Sequence, residues 1–386
     1  MSPLLGRDVV IVGAVRTAVG RGHPEKGIHR DVHPTDLLGR AFEGLLADTG
    51  VDADLVDNVI AGCVYQVAEQ AAGVTRNAWL AKGLPEKTGA TTVDIRCGSG
   101  QQALHLAVGQ IAIGADDVVI AAGVEHMGRV GFPVNQGAQE QWGSGVSDEL
   151  RARYQLVPQG ESAERIADRW EITRAEMDAV AMRSHRLASE ATSSGAFARE
   201  IVDVDGHVSD QGIRPATSLE TLADLKTVFR EDGRVTAGNS SQISDGAAAV
   251  LLMAAEKAEE LGLTPRARIV DQVVLGVDPI LMLTGPIDAT QRILERNAMT
   301  MGDLDLVEIN EAFGSVVVAW ARELEPDMDR VNVRGGAIAL GHPLGATGAR
   351  LITTLVHSLE DRDDELGLVT MCCGGGLGTA TLLQRV

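Results

Sequence analysis

The 386-residue chain carries 54 Asp and Glu against 34 Lys and Arg, a formal charge of −20 at pH 7. That balance excludes duplex nucleic acid as a partner, because phosphate neutralisation needs clustered cations, while a small anionic ligand feels only the local field. With 45% hydrophobic and 23% charged residues, the composition suits a globular protein of two or three domains whose cores, at 3% aromatics, rest on Ala, Val, Leu and Ile.

In chain order, apolar β-branched runs alternate with helical patterns, as βαβ units require. Residues 9–13 read as a buried strand, 37–46 as a helix and 59–61 as a short strand. Residues 92–95 read as a strand running straight into Cys97, followed by a helix over 103–113 and a strand over 118–122. Residues 128–244 are more polar and less regular, with helical patterns at 162–170, 174–192 and 218–222, and read as an inserted excursion. Residues 238–249 read as a glycine turn and a helix. The last third repeats the first: strand at 268–270, helix near 290–297, strand at 306–309, helix at 315–322, a glycine turn after Val333, helix at 348–359 and strand at 368–371. The order predicts two similar α/β halves with a site at their pseudo-twofold junction.

No apolar run reaches the roughly 18 residues of a membrane helix, and the start lacks the basic-then-apolar order of a secretory signal. The final Leu-Leu-Gln-Arg-Val is not a peroxisomal address. The expectation is a cytoplasmic protein with no membrane contact and free thiols at Cys63, Cys97, Cys372 and Cys373, whose spacing suits no zinc site.

Four separated segments carry chemistry. Cys97-Gly98-Ser99-Gly100-Gln101-Gln102 places a thiol between strand and helix, where the helix macrodipole is expected to lower its pKa. A buried structural cysteine is the competing reading. His342, in Gly-His-Pro-Leu-Gly-Ala-Thr-Gly, also precedes a helix and is a base for Cys97; a capping histidine competes. Cys372 ends a strand and runs into Gly374-Gly375-Gly376, whose bared N–H groups make an oxyanion cradle. Strand alternation turns Cys373 away, and Cys373 and Cys63 read as structural. Asn310, in Asn310-Glu311-Ala312-Phe313, offers an amide to a water or to His342, and Glu311 offers the same service to other groups. This inventory makes and breaks a carbon–carbon bond beside a thioester, with no metal and no permanently bound cofactor.

In combination the segments resemble the thiolase family over nearly the whole chain. The resemblance rests on Val15-Arg16-Thr17 with Gly20, the Cys97 segment, Gly238-Asn239-Ser240-Ser241 with Asp245-Gly246-Ala247-Ala248, Asn310-Glu311-Ala312-Phe313, residues 335–343 and Cys372-x-Gly374-Gly375-Gly376. It implies a five-layered αβαβα fold built from two similar halves. Residues 1–127 with 245–265 would form the N-terminal half, 128–244 a loop domain covering coenzyme A (CoA), and 266–386 the C-terminal half. It implies that Cys97 attacks the keto carbon and holds the acyl group. His342 would activate Cys97 and share an oxyanion site with a water held by Asn310. Cys372 would protonate the departing acetyl-CoA carbanion and then deprotonate the incoming CoA thiol. The N–H groups of Cys97 and Gly374 would form a second oxyanion site. Ser241 matches a serine near the pantetheine and Arg214 an arginine near the adenine nucleotide. CoA enters as substrate, and the assembly implied is a homodimer or homotetramer.

The chain departs from the pattern in the loop domain. Many thiolases carry His-Met just before Gly-x-x-Ala-Glu, beside a short acyl chain, whereas here Leu156-Val157-Pro158-Gln159 precedes Gly160-Glu161-Ser162-Ala163-Glu164. Residues 123–128 also differ from the usual run. Residues 240–246 and 325–332 look like those of actinobacterial steroid-degradation thiolases. The expected activity is degradative cleavage of a bulky 3-ketoacyl-CoA by CoA in fatty acid or steroid β-oxidation. Its rivals are a biosynthetic acetoacetyl-CoA-forming acetyltransferase and a non-catalytic acyl-CoA or lipid-binding relative. A dinucleotide-binding oxidoreductase is disfavoured, because residues 9–17 lack Gly-x-Gly-x-x-Gly.

Overall fold

Alternation along the strands decides the layering. In β1 (Val9–Thr17), Val9 and Ile11 enter one core while Val10 and Val12 enter another, so this strand is covered on both faces. The computed structural model describes residues 6–386. Residues 1–5, which open both the expected N-terminal half and the stretch read for a leader, lie outside it.

The first half continues with β2 (Gly20–Arg21), α1 (Pro34–Thr49), β3 (Asn58–Gly62), α2 (Val74–Ala81), β4 (Gly89–Val93), α3 (Ser99–Ala112) and β5 (Val118–His126). An excursion follows, with α4 (Phe132–Trp142), α5 (Asp148–Arg153), α6 (Gln159–Arg169), α7 (Arg174–Ser193), β6 (Ile201–Val202) and α8 (Leu219–Ala223). The chain returns through β7 (Ser244–Ala254) and α9 (Ala255–Glu260). The second half holds β8 (Ala267–Gly276), α10 (Gly285–Arg296), β9 (Leu306–Ile309), α11 (Gly314–Leu324), α12 (Ala337–Leu340), α13 (Thr347–Arg362), β10 (Leu366–Cys373) and β11 (Leu377–Arg385).

The strand order β4-β3-β5-β7-β1-β8-β11-β10-β9 is a duplication. β3 and β5 are parallel, and β5–β7 and β7–β1 antiparallel. Likewise β9 and β10 are parallel, and β10–β11 and β11–β8 antiparallel. The halves meet where β1 pairs with β8 over Val10–Arg268 and Ile11–Ala267. Even β4 has an echo, since Val331 makes a parallel bridge to Val307 of β9.

Three cores separate five layers. Leu37 and Phe42 of α1 and Trp79 of α2 pack on Ile120 and Leu251. Leu104 of α3 and Leu355 of α13 lie between the sheets, against Val119, Leu252 and Val369. Ile293 of α10 and Trp320 of α11 cover Leu368 and Leu382. The central helices meet at glycines: a Cβ on Gly348 would lie 2.1 Å from the Gln101 backbone nitrogen, so no side chain fits there. Gln101 then crosses between halves, its amide donating to Thr381 Oγ1 (2.6 Å) and accepting from Thr379 Oγ1 (2.6 Å).

The excursion is clamped to the first half by charge. Fully buried Arg16 of β1 donates to Glu200 Oε1 (2.5 Å) and to both oxygens of Asp210 (2.7 and 2.9 Å). Asp210 also accepts from the Val19 N–H at 2.7 Å.

Three expectations are corrected. Residues 238–249 do not end in a helix: β7 is an eleven-residue strand, buried throughout. Its Ala-Ala-Ala run favours helix in isolation, but lying between β1 and β5 it gains two ladders of hydrogen bonds. The strand before Cys97 stops at Val93, because Asp94 Oδ1 captures the Arg96 N–H (2.7 Å) and Arg96 turns left-handed at φ 59°. The following helix starts at Ser99, earlier than residue 103. Among the described residues, no helix is long and apolar enough to cross a membrane.

Candidate active site

The turn that presents Cys97 is tight. Ser99 Oγ donates to Arg96 O (2.6 Å) and accepts from the Ile95 N–H (3.0 Å), closing residues 95–99 around a non-glycine residue in left-handed geometry. Such a residue costs about 1–3 kcal/mol and persists only when its surroundings hold it. Cys97 is buried, with the Gly374 N–H, its own N–H and the Gln159 side chain beside its sulfur, each favouring the thiolate. Burial nevertheless pushes the thiol above its ordinary range, with Glu125 adding to the rise. This corrects the expectation of a pKa lowered by the helix macrodipole: the desolvation cost of the charged form outweighs the dipole and the three donors.

His342 comes from the other half. Gly341 at φ 107° takes the chain past Ser244, where a Cβ would lie 2.4 Å from Oγ, and the His342 N–H donates to that oxygen at 3.1 Å. His342 Nδ1 lies 2.6 Å from Thr347 Oγ1. The Thr347 hydroxyl spends its single proton on Pro343 O (2.8 Å), so it can only accept from Nδ1–H. That assigns the tautomer and leaves Nε2 with its lone pair. Burial and the nearby Arg350 push the imidazole down to about 3, so it stands neutral, with Nε2 open to accept a proton. Thr347→Val should misorient it: kcat falls on the order of 10²-fold, against a stability loss of about 1 kcal/mol. Steady-state rates and urea denaturation check this; an unchanged kcat removes Thr347 from the site.

Asn310 follows β9, with its Nδ2 at 3.4 Å from His342 Nε2 and its Oδ1 buried without a partner. Cys372 and Cys373 face opposite ways along β10. Cys373 joins the core between the sheets, and Cys372 joins Ala163, Ile166 and Phe313 beneath the excursion. Burial and the neighbouring Cys97 raise the Cys372 thiol far above its usual range.

Two carboxylates that sequence reasoning underused hold the frame. Buried Glu125 accepts from the N–H groups of Val64, Tyr65 and Gly345 and from Gln70, tying the His342 loop to the first half. Glu311 accepts from Ser184 Oγ, Asn332 Nδ2 and the Ile338 N–H, tying α7 to the second half.

A cavity of about 530 Å³ opens onto this cluster. Gln159, Phe229, Ser241, Phe313, His342 and Leu344 are among its lining residues. Ser241 is fixed by its N–H donating to Ala312 O at 2.9 Å. Arg214 does not line the cavity. It is linked to the wall through Gly212, whose carbonyl accepts from Gln242 (3.0 Å). Its guanidinium is exposed, with Arg21 as its charged neighbour.

With this geometry in place, the family models for the thiolase N-terminal domain and the thiolase C-terminal domain match residues 9–256 and 263–385. The chain belongs to the thiolase family. It is similar to the 3-ketoacyl-CoA thiolase of Aeromonas salmonicida, with 43% identity over 98% of this chain and 100% of the relative. It is 42% identical to the steroid 3-ketoacyl-CoA thiolase FadA6 of Mycobacterium tuberculosis, over 98% and 94%. The structure of human mitochondrial 3-ketoacyl-CoA thiolase in complex with CoA superposes with a TM-score of 0.90 at 35% identity, covering 99% of each chain.

This thiolase therefore draws together most of the residues singled out from sequence. Gly374 and Cys372 adjoin Cys97, Asn310 adjoins His342, and the His342 loop packs on the start of α3, where a Cβ on Gly100 would lie 2.7 Å from Gly345 O. Arg214 alone stands apart. Sequence reasoning missed Gln159 and Thr347 as site residues. The only signal for Gln159 was its position at the departure from His-Met; for Thr347 it was the five-residue spacing from His342, one helical turn beyond the proline.

Proposed function

We propose that the protein cleaves 3-ketoacyl-CoA with free CoA through an acyl-Cys97 intermediate, and that its substrates are longer or bulkier than acetoacetyl-CoA. The observation that carries this is that Cys372 and the Gly374 N–H adjoin Cys97, while the loop of His342, whose Nε2 keeps its lone pair, packs on the start of the helix that follows Cys97. His342 takes the Cys97 proton, and the thiolate adds to C3 of the substrate. The C3 oxyanion sits at protonated His342 and a water on Asn310, whose unpartnered Oδ1 invites one. The C2–C3 bond breaks, and Cys372 delivers its proton to C2 of the leaving enolate; its raised pKa matches a carbon acid. The Cys372 thiolate then takes the thiol proton of CoA. The CoA sulfur adds to the acyl carbon, and its oxyanion rests between the N–H groups of Cys97 and Gly374. Collapse expels Cys97 and releases the shortened acyl-CoA.

The substrate reading is supported by the absence of His-Met before Gly160, by the apolar cavity and by the substrates that the names of the two relatives state. Ser241 on the cavity wall suits the pantetheine, and the adjacent cations Arg21 and Arg214 suit the nucleotide phosphates. The division into an N-terminal half (1–127 with 245–265), a loop domain (128–244) and a C-terminal half (266–386) belongs to the same reading. The strand duplication supports it, with the excursion inserted between β5 and β7. So do a cytoplasmic setting, which suits four free cysteines, and a homodimer or homotetramer, in which a second copy would cover the unburied helix α4.

A panel of 3-ketoacyl-CoAs tests the reading, followed by loss of the 3-ketoacyl thioester absorbance on adding CoA and by mass spectrometry of Cys97. Ring-bearing or branched substrates should outpace acetoacetyl-CoA. A large preference for acetoacetyl-CoA overturns the substrate class, and no adduct on Cys97 with any substrate overturns the mechanism.

A further inference from the structure

Helix α6 begins at Gln159, directly after Pro158, whose extended geometry ends the approach from the excursion. The helix is held firmly. Ser162 Oγ donates to Leu281 O (2.6 Å), Glu164 accepts from the N–H groups of Arg234 and Val235, and Ala163 and Ile166 share the core with Cys372. A Cβ on Gly160 would lie 2.1 Å from the Phe229 ring, so the start of the helix packs too closely on that ring to admit a side chain there. From this fixed point Gln159 reaches across the cavity wall to Gly374. Its Nε2 occupies the place beside Gly374 where a side chain would begin, 2.5 Å from an added Cβ. Gly374 is thus required at that position to admit the amide as well as to bare its own N–H.

The same amide stands beside the Cys97 thiol together with the Gly374 N–H, and both favour its thiolate. A primary amide N–H is a donor of fixed polarity at any pH where the protein folds. The charged and titratable groups around Cys97 give no such help. Glu125 faces it from the first half and disfavours the thiolate, while Tyr65, Cys372 and Cys373, whose own ionisations are pushed up, stand near it uncharged and supply no compensating positive charge. Arg96, next in the chain, is exposed to solvent.

We propose that Gln159 is a catalytic residue, the third hydrogen-bond donor at the nucleophile, lent to the site by the excursion. It holds the sulfur of Cys97 while that sulfur is a thiolate. In the acyl-enzyme it turns to the acyl carbonyl oxygen, beside the N–H groups of Cys97 and Gly374. No proton is transferred: the N–H bond of the amide stays intact and only its acceptor changes. The proposal rests on the thiolase reading for its second role and on the placement of Gln159 Nε2 beside Gly374 and Cys97 for its first. It also gives the departure from His-Met a consequence: a thioether side chain at this position has no N–H to offer.

The test uses the full-length protein with Gln159→Met, a substitution close in length that removes the donor. Cys97 alkylation by iodoacetamide is followed by mass spectrometry across pH, and single-turnover transfer of the acyl group from Cys97 to CoA is followed by quenched flow. In Gln159→Met the alkylation midpoint should rise by about one pH unit, the tenfold scale of one hydrogen bond to a charged group. Acyl transfer should slow by about tenfold or more, with KM for CoA unchanged. An alkylation midpoint equal to wild type overturns the proposal. If the Met variant does not fold, Gln159→Glu keeps the shape and replaces the donor by a charge, and its midpoint should rise further; a midpoint at or below wild type overturns the proposal. The two readings fail separately. If no 3-ketoacyl-CoA is cleaved by wild type, the thiolase assignment of the site falls, while a raised midpoint in Gln159→Met still upholds Gln159 as a donor to the thiolate.

Discussion

Cys97→Ala abolishes the acyl-enzyme and should lower thiolysis by on the order of 10⁴-fold or more, because nothing else in the site can hold the acyl group. The fold should survive. Cys97 lies at the edge of the core between the sheets, and the strained turn before it is closed by Ser99, not by the thiol. Removing one sulfur atom should cost no more than about 1.5 kcal/mol. Stopped-flow thiolysis with thermal denaturation on the same preparation separates the two effects. Activity within tenfold of wild type would transfer the nucleophilic role elsewhere. Cys372 is badly placed to inherit it, since burial, which the substitution leaves in place, holds its thiol protonated.

The largest loss of stability is expected from Arg16→Leu. The variant leaves Glu200 and Asp210 buried with their main cationic partner gone, and breaking such a pair from one side costs about 3–5 kcal/mol. Arg334, 3.8 Å from Glu200, offers only a distant substitute. Guanidinium denaturation should show the loss, and limited proteolysis should show new cuts within residues 128–244 as the excursion lifts from β1. Adding Glu200→Gln and Asp210→Asn should restore much of the stability, because the charges and not the shape impose the penalty. A cost under about 1 kcal/mol for Arg16→Leu alone would mean that the clamp is ornamental to the fold.

Legibility in the sequence was uneven, for physical reasons. Strands and the helices that follow them were readable where β-branched runs such as residues 9–12, 118–120 and 306–309 alternate with amphipathic segments. The missed elements include β7 and β11, which hold equivalent places in the two halves. Both are antiparallel strands rich in Ala, Gly, Leu or Thr, whose conformation is decided by the neighbours on each side. In the site, residues bearing reactive groups were visible through their glycine-rich surroundings. Thr347 and Gln159 were not, because a hydroxyl and an amide gain their roles only from what they touch. The thiol pKa was misjudged for a related reason: local sequence announces a helix terminus, whereas burial and Glu125 are tertiary facts.

The position of β11 has a consequence for synthesis on the ribosome. This last strand lies between β8 and β10, pairing Gly378 with both Leu275 and Cys372. Until it emerges, its two neighbours present open edges toward each other, and the Cys372 strand has no partner on that side. The earliest strand waits as well, since Val9 pairs with Ala254 across the whole excursion. The first half can therefore close only once β7 has left the exit tunnel, and the second only with β11. Assembly of the second half is deferred until nearly all of the chain is free, with the slow kinetics of distant pairings and a period in which unsatisfied edges need shielding from other nascent chains.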